Sequence, residues 1–117
     1  MTAKLHLAWH DFDVAVARLA GVLDGINATG IYGVPRGGLI LAIALSHRLD
    51  LPLLEEPDAE CIWVDDIVDS GRTRDEAPLC LAYAAWISRK PRWDTFVAQL
   101  CRNDAWLVFP WEAAEKA

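Results

Sequence analysis

With 117 residues, 54% of them hydrophobic, this chain carries enough apolar material for one filled core and too much to remain disordered. Its net charge of −6 argues against a general nucleic-acid binder, which would want a basic face. An anionic small ligand stays open, because nearby Arg, Lys or Mg²⁺ sets the field inside a pocket. In chain order, Lys4 to Trp9 alternates apolar and polar residues as a short half-buried strand does. From about Asp11, Phe12, Val16, Leu19, Ala20 and Leu23 recur at helical spacing, with Gly25 just past the end. Gly30 to Val34 is a short buried strand, Pro35-Arg36-Gly37-Gly38 a turn, and Leu39 to Leu49 a largely apolar helix. Leu51 to Leu54 is a brief strand candidate, and Glu55 to Glu60 an acidic loop. Cys61 to Val64 reads as a strand buried on both faces, of the kind found in parallel sheets. Thr73 to about Leu81 is expected to be a helix that either starts late or kinks, since Pro78 lacks the N–H a helix interior needs. Ala82 to Ser88 is a further strand, and Phe96 to Leu100 and Trp106 to Phe109 are short strand candidates. Strands alternating with helices predict parallel βαβ units in a single α/β domain over residues 1–117.

Cys61, Cys80 and Cys101 lie far apart without close Cys or His neighbours, so reduced, buried thiols are expected rather than disulfides or zinc. His6 and His10 read as surface groups. No apolar stretch reaches membrane-spanning length and no segment has the build of a signal peptide, which predicts a cytoplasmic protein with no membrane partner.

The most informative stretch is Cys61-Ile62-Trp63-Val64-Asp65-Asp66-Ile67-Val68-Asp69-Ser70-Gly71-Arg72-Thr73. An apolar strand runs into two adjacent carboxylates, then a third, then a hydroxyl-rich turn containing glycine. Ligands of open α/β sheets bind just past the carboxyl ends of such strands. Ser70 to Thr73 offers backbone N–H groups and two hydroxyls at a predicted helix start, where a phosphate is stabilised. Acids for a sugar or a metal, followed by a phosphate cradle, point to a phosphorylated sugar. Tyr32 to Gly38 closes another buried strand, and its two glycines would let backbone N–H groups approach an anion while Arg36 adds positive charge. Taken singly, each feature has a plainer reading: Asp and Ser cap helices, and Pro-Arg-Gly-Gly is a common turn.

The acidic run resembles the phosphoribosyl-pyrophosphate (PRPP) motif of the type I phosphoribosyltransferases, and the Pro35–Gly38 turn resembles that family's pyrophosphate loop. Together with Lys90-Pro91 and the closing Asp104 to Trp111, the chain is similar to the bacterial xanthine-guanine phosphoribosyltransferases. The resemblance implies an open, mainly parallel sheet flanked by helices, with a small C-terminal hood. It implies a Mg²⁺-dependent purine-salvage transferase that moves 5-phosphoribosyl from PRPP to guanine or xanthine and releases pyrophosphate. Asp69 would be the general acid/base, and Asp65 and Asp66 would hold the ribose hydroxyls directly or through Mg²⁺. Asp69, Ser70, Gly71, Arg72 and Thr73 would hold the 5′-phosphate; Pro35, Arg36, Gly37 and Gly38 the pyrophosphate. Lys90 would meet the purine's six-position oxygen, Trp106 would stack on the base, and Leu107 would offer backbone groups to its edge. The implied ligands are PRPP, a purine base and a nucleoside monophosphate, and the implied assembly is a homodimer or homotetramer. One departure stands out: the family's mobile-loop segment has only Leu54 to Glu60 in its place. That departure implies weak turnover, or the alternative of a non-catalytic nucleotide or PRPP sensor that keeps the cradle without the lid.

Overall fold

Short apolar runs separated by turn residues give this chain its parallel strands, and two longer segments of helical period cover them. The structure, a computed structural model, describes residues 3–112. Its elements are β1 (Lys4–His6), α1 (Trp9–Leu23), β2 (Ile31–Gly33), α2 (Gly37–Leu49), β3 (Leu53–Leu54), β4 (Ile62–Val68), α3 (Arg72–Asp75), β5 (Ala82–Ser88), β6 (Phe96–Leu100) and β7 (Trp106–Val108). Strands β3-β2-β4-β5-β6 form one sheet in that order, every neighbouring pair parallel. The reversal of strand order around β2 and β4 places their carboxyl ends side by side on one edge, where ligands of such sheets collect.

The main core lies between the sheet and the apolar stripes of α1 and α2: Phe12, Leu19, Leu41 and Leu45 meet Ile62, Val64 and Trp86. Successive strand residues point to opposite faces, so Trp63 packs on the other side with Cys61, Cys80 and Tyr83. All three cysteines are buried. Burial, followed by the hydrogen bond with Cys61, pushes the Cys80 thiol up to about 12, so it stays protonated and unreactive.

Several expectations change: the half-buried strand read over Lys4 to Trp9 stops at His6 with all three of its residues exposed, and Trp9 opens α1. The helix anticipated over residues 73–81 is a single turn, α3, ending at Asp75. Pro78 neither starts a late helix nor kinks a long one; it lies in a segment without regular structure, where its carbonyl accepts from the Tyr83 hydroxyl, which in turn accepts from the Cys80 N–H. Strand β4 runs on through Asp65 and Asp66 to Val68, because β5 pairs with it as far as Ser88. The hood is not C-terminal alone: β7 pairs in parallel with β1, so both end segments of the described chain build it.

The β5-to-β6 connection carries no helix, although a parallel crossover normally needs one. Two arginines stand in for that packing. Arg74, buried and lying 3.3 Å over the Tyr83 ring, donates to the Thr95 hydroxyl at 2.9 Å and the Asp94 carbonyl at 3.1 Å. Arg92 bridges Asp75 at 2.5 Å and Asp94 at 3.0 Å. Its guanidinium holds the Asp94 carboxyl down at about 2. The residues 92–95 are thereby pinned beside α3 rather than left as a free loop.

Candidate functional site

Strand β2 ends at Gly33, whereas β4 continues past Val64, the last residue it pairs with β2. The final link between the two corners is the Val34 N–H donating to the Val64 carbonyl at 2.8 Å. The Pro35–Gly38 turn then folds back over the acidic end of β4, with a cis Pro35–Arg36 bond and α2 starting at Gly37. Contact is close enough to require glycine. A Cβ on Gly38 would sit 2.7 Å from the Val64 carbonyl oxygen and 3.0 Å from the Asp65 Cα. A Cβ on Gly37 would overlap the Asp66 carboxylate. Arg36 is exposed beside them.

Asp65 is buried, and its Oδ1 accepts from the Asp66 N–H at 2.8 Å. Asp66 Oδ1 accepts from the Ile67 N–H at 2.9 Å. Burial first, then the hydrogen bond and charge of Asp66, raise Asp65 to about 8. The sign of the consequence follows directly. A carboxyl raised in the folded chain binds a proton there that the unfolded chain has lost above about pH 4. Its contribution to stability is present below that value and is lost as pH climbs towards about 8. Asp65→Asn is therefore expected to flatten the pH dependence of unfolding between about pH 4 and 8, and to stabilise the chain at pH 8 by at least about 1 kcal/mol. Urea unfolding at pH 5 and pH 8 checks this; an Asn variant as pH-sensitive as the parent would contradict it.

Past β4, Asp69 to Gly71 turn sharply, Gly71 taking a φ of 94° that glycine alone adopts freely. Ser70 Oγ accepts from the Arg72 N–H at 3.3 Å, and the Asp75 N–H returns to the Gly71 carbonyl at 2.8 Å. With α3 only one turn long, an anion here would rely on the turn's own N–H groups more than on a helix dipole. Two cavities meet at this turn and share Val68 to Gly71 as a wall. One, of about 200 Å³, runs along Asp65, Asp66, Asp69, Arg72 and Thr73. The other, of about 230 Å³, lies between the turn and the loop after β5, where Lys90, Pro91, Arg92 and Trp93 line it.

Of the residues singled out from sequence, the structure brings Asp65, Asp66, Asp69 to Thr73 and Lys90 around these two spaces. Pro35 to Gly38 line neither; Gly37 and Gly38 instead border Asp66 and Asp65. Trp106 lies on β7, 58% exposed, and lines neither cavity; the Leu107 side chain is buried in the core. Three neighbours escaped sequence reasoning. Arg89 pairs with Asp69 at 3.1 Å, Arg92 approaches Gly71, and Trp93 stands 98% exposed on the cavity rim. Nothing in the local pattern distinguishes Arg89 and Arg92 from ordinary surface charges flanking Lys90-Pro91.

Two adjoining corners on the carboxyl edge of a parallel sheet, one acidic and one glycine-rich, define the type I phosphoribosyltransferase fold, and this chain has it. No family model matches the chain. It is similar to the xanthine-guanine phosphoribosyltransferase of Cereibacter sphaeroides, 27% identical over 93% of this chain and 87% of the relative. It is likewise similar to the xanthine-guanine phosphoribosyltransferase of Desulfotalea psychrophila, 28% identical over 78% of this chain and 74% of the relative. A purine phosphoribosyltransferase from Pyrococcus horikoshii superposes with a TM-score of 0.75, 28% identical over 94% of each chain. The Cereibacter alignment spans 147 residues, more than the 117 present here, so that relative carries a stretch without counterpart in this chain. Between α2 and β4 this chain holds only residues 50–61, two of them in β3.

Proposed function

We propose that this protein is a purine phosphoribosyltransferase that moves 5-phosphoribosyl from PRPP to guanine or xanthine. The observation that carries the reading is the Gly37–Asp66 and Gly38–Asp65 approach, which sets an anion-accepting turn directly beside paired carboxylates. In the reaction the C1–oxygen bond of PRPP breaks and pyrophosphate leaves with the electron pair. A C1–nitrogen bond to the purine forms, and the proton on that nitrogen passes to Asp69. Ser70 to Thr73 would hold the 5′-phosphate, while Arg36 and the Gly37 and Gly38 backbone would neutralise the departing pyrophosphate. Asp65 and Asp66 would lie under the ribose and meet its hydroxyls; Asp65 keeps its proton up to about pH 8, so a cation bound beside it would be needed to free its negative charge for the oxocarbenium-like centre. Lys90, facing the same cavity as Asp69, would donate to the purine oxygen. Trp106 and the Leu107 backbone would come from the hood, whose β7 is paired on one edge only, with β1.

The Asp65–Asp66 pair also fits a magnesium ion. Its donors are hard oxygens, and a bound cation would favour the ionised form of Asp65, which burial first and then the neighbouring Asp66 disfavour. Among the described residues no group of three metal-binding side chains is present, so the ion would draw part of its shell from the ligand's own oxygens. Bound there, it would supply charge neutralisation on the diphosphate.

The test is a PRPP- and Mg²⁺-dependent assay with guanine, xanthine and hypoxanthine, read as nucleoside monophosphate and pyrophosphate. Formation of GMP or XMP is expected; no product at high protein concentration would overturn the catalytic reading. A second reading, a nucleotide or PRPP sensor, is favoured by the short α2–β4 connection, which leaves no segment to cover the ribose. Saturable binding of GMP or PRPP without turnover would select it.

A further inference from the structure

We propose that Arg89 is a positioning residue that locks the acid/base carboxylate to the hood, so that purine recognition and proton transfer share one rigid frame. The inference rests on the purine phosphoribosyltransferase reading and adds a residue that neither sequence motif contains. Arg89 leaves the end of β5 with its side chain only 18% exposed and spreads its donors over two separate parts of the chain. Nε meets Asp69 Oδ1 at 3.1 Å. The two terminal nitrogens donate to the Asn103 carbonyl at 2.9 Å and the Ala105 carbonyl at 2.8 Å.

Residues 101–105 form no helix or strand, and their backbone is wrapped around this guanidinium. Asn103 reinforces the wrap by accepting from the Ala105 N–H at 2.9 Å. The next residue is Trp106, the first of β7. One planar cation thus spans from the β4 corner to the start of the strand carrying the proposed base platform, two segments far apart in sequence. A guanidinium can do this because its donors lie in a fixed fork; an ammonium is a point charge that reaches fewer acceptors at once. Arg89 is also the side chain that Asp69 pairs with among the described residues, and Asp69 is otherwise open to solvent. Without the arginine, the carboxylate would sample several rotamers, and the Asn103 and Ala105 carbonyls would lose their donor.

The consequence separates two ligands. PRPP would be gripped by Ser70 to Thr73, by Arg36 to Gly38 and by Asp65 and Asp66, none of which Arg89 touches; Asp69 would meet the 5′-phosphate through its backbone N–H, whereas Arg89 holds only its carboxylate. A purine base or nucleoside monophosphate would depend on Asp69 and the Trp106 strand, both of which it does. Calorimetric binding of GMP and of PRPP with Mg²⁺ to the parent, Arg89→Met and Arg89→Lys chains tests this. Both variants are expected to weaken GMP by about tenfold or more while PRPP stays within about twofold, with Lys recovering only part of the loss. In turnover, KM for the base should rise while KM for PRPP holds. Amide exchange in residues 101–106 should quicken in the free variants without a matching change in β4. Should Arg89→Met fail to fold, the Arg89→Lys readouts decide. Variants that lose both ligands together, or neither, would overturn the positioning role while leaving the functional reading intact. A parent chain that binds neither ligand would overturn both.

Discussion

Asp69→Asn is expected to lower turnover by about 100- to 10,000-fold, the range over which a positioned acid/base group contributes. The substitution keeps the shape and one acceptor oxygen of the side chain but removes its capacity to take a proton. Asp69 stands 72% exposed on the wall common to both cavities, paired with Arg89 at 3.1 Å. Such an exposed pair adds about 1 kcal/mol or less to stability, so the variant should unfold within that margin of the parent. PRPP binding should persist, since the neighbouring Ser70 to Thr73 turn is unaltered. Initial rates at saturating PRPP and guanine, beside a urea melt, distinguish lost chemistry from lost fold. An Asn variant turning over at the parental rate would remove Asp69 from the mechanism.

Gly38→Ala should show the largest structural effect, a loss of about 1–3 kcal/mol accompanied by loss of ligand binding. Its new methyl would approach the Val64 carbonyl to 2.7 Å and the Asp65 Cα to 3.0 Å, and backbone in a central strand cannot swing aside. The only relief is to part the α2 start from β4, which opens the two corners against each other. Gly37→Ala makes an instructive contrast. There the methyl meets the Asp66 carboxylate, a side chain able to turn away, so stability should fall less while the carboxylate is displaced from its place under the ribose. Urea unfolding and PRPP binding measured on both variants give the two readouts. A Gly38→Ala chain that is as stable as the parent would mean the corners are not in the contact described.

Much of this was legible in the linear chain because the deciding forces are local. Val64 and its apolar neighbours are confined to a buried strand by their own side chains, and Gly71 sits where a positive φ is needed. The acidic run and the Pro35–Gly38 turn were visible as motifs, and the parallel order of β2 and β4 followed from helices falling between strands. The length of the segment after Thr73 was not legible. The sequence predicts a helix from Thr73 to about Leu81, but the chain ends it at Asp75 and ties Pro78 and Cys80 to Tyr83 through bonds made only once β5 is in place.

The amino-acid order by itself determined which residues could form strands, where the chain must turn, and that acids precede a hydroxyl-rich glycine turn. The folded arrangement decided which charges meet. Arg89 with Asp69, Arg92 with Asp75, and Arg74 with Thr95 are pairs separated by many residues, and no short window contains both members. Burial of Asp65 under Gly38, which raises its proton affinity, is likewise a property of two elements pressed together. Local sequence sets backbone preference through sterics and hydrogen bonding close at hand; electrostatics and desolvation depend on distance in space, which exists only after the sheet has assembled.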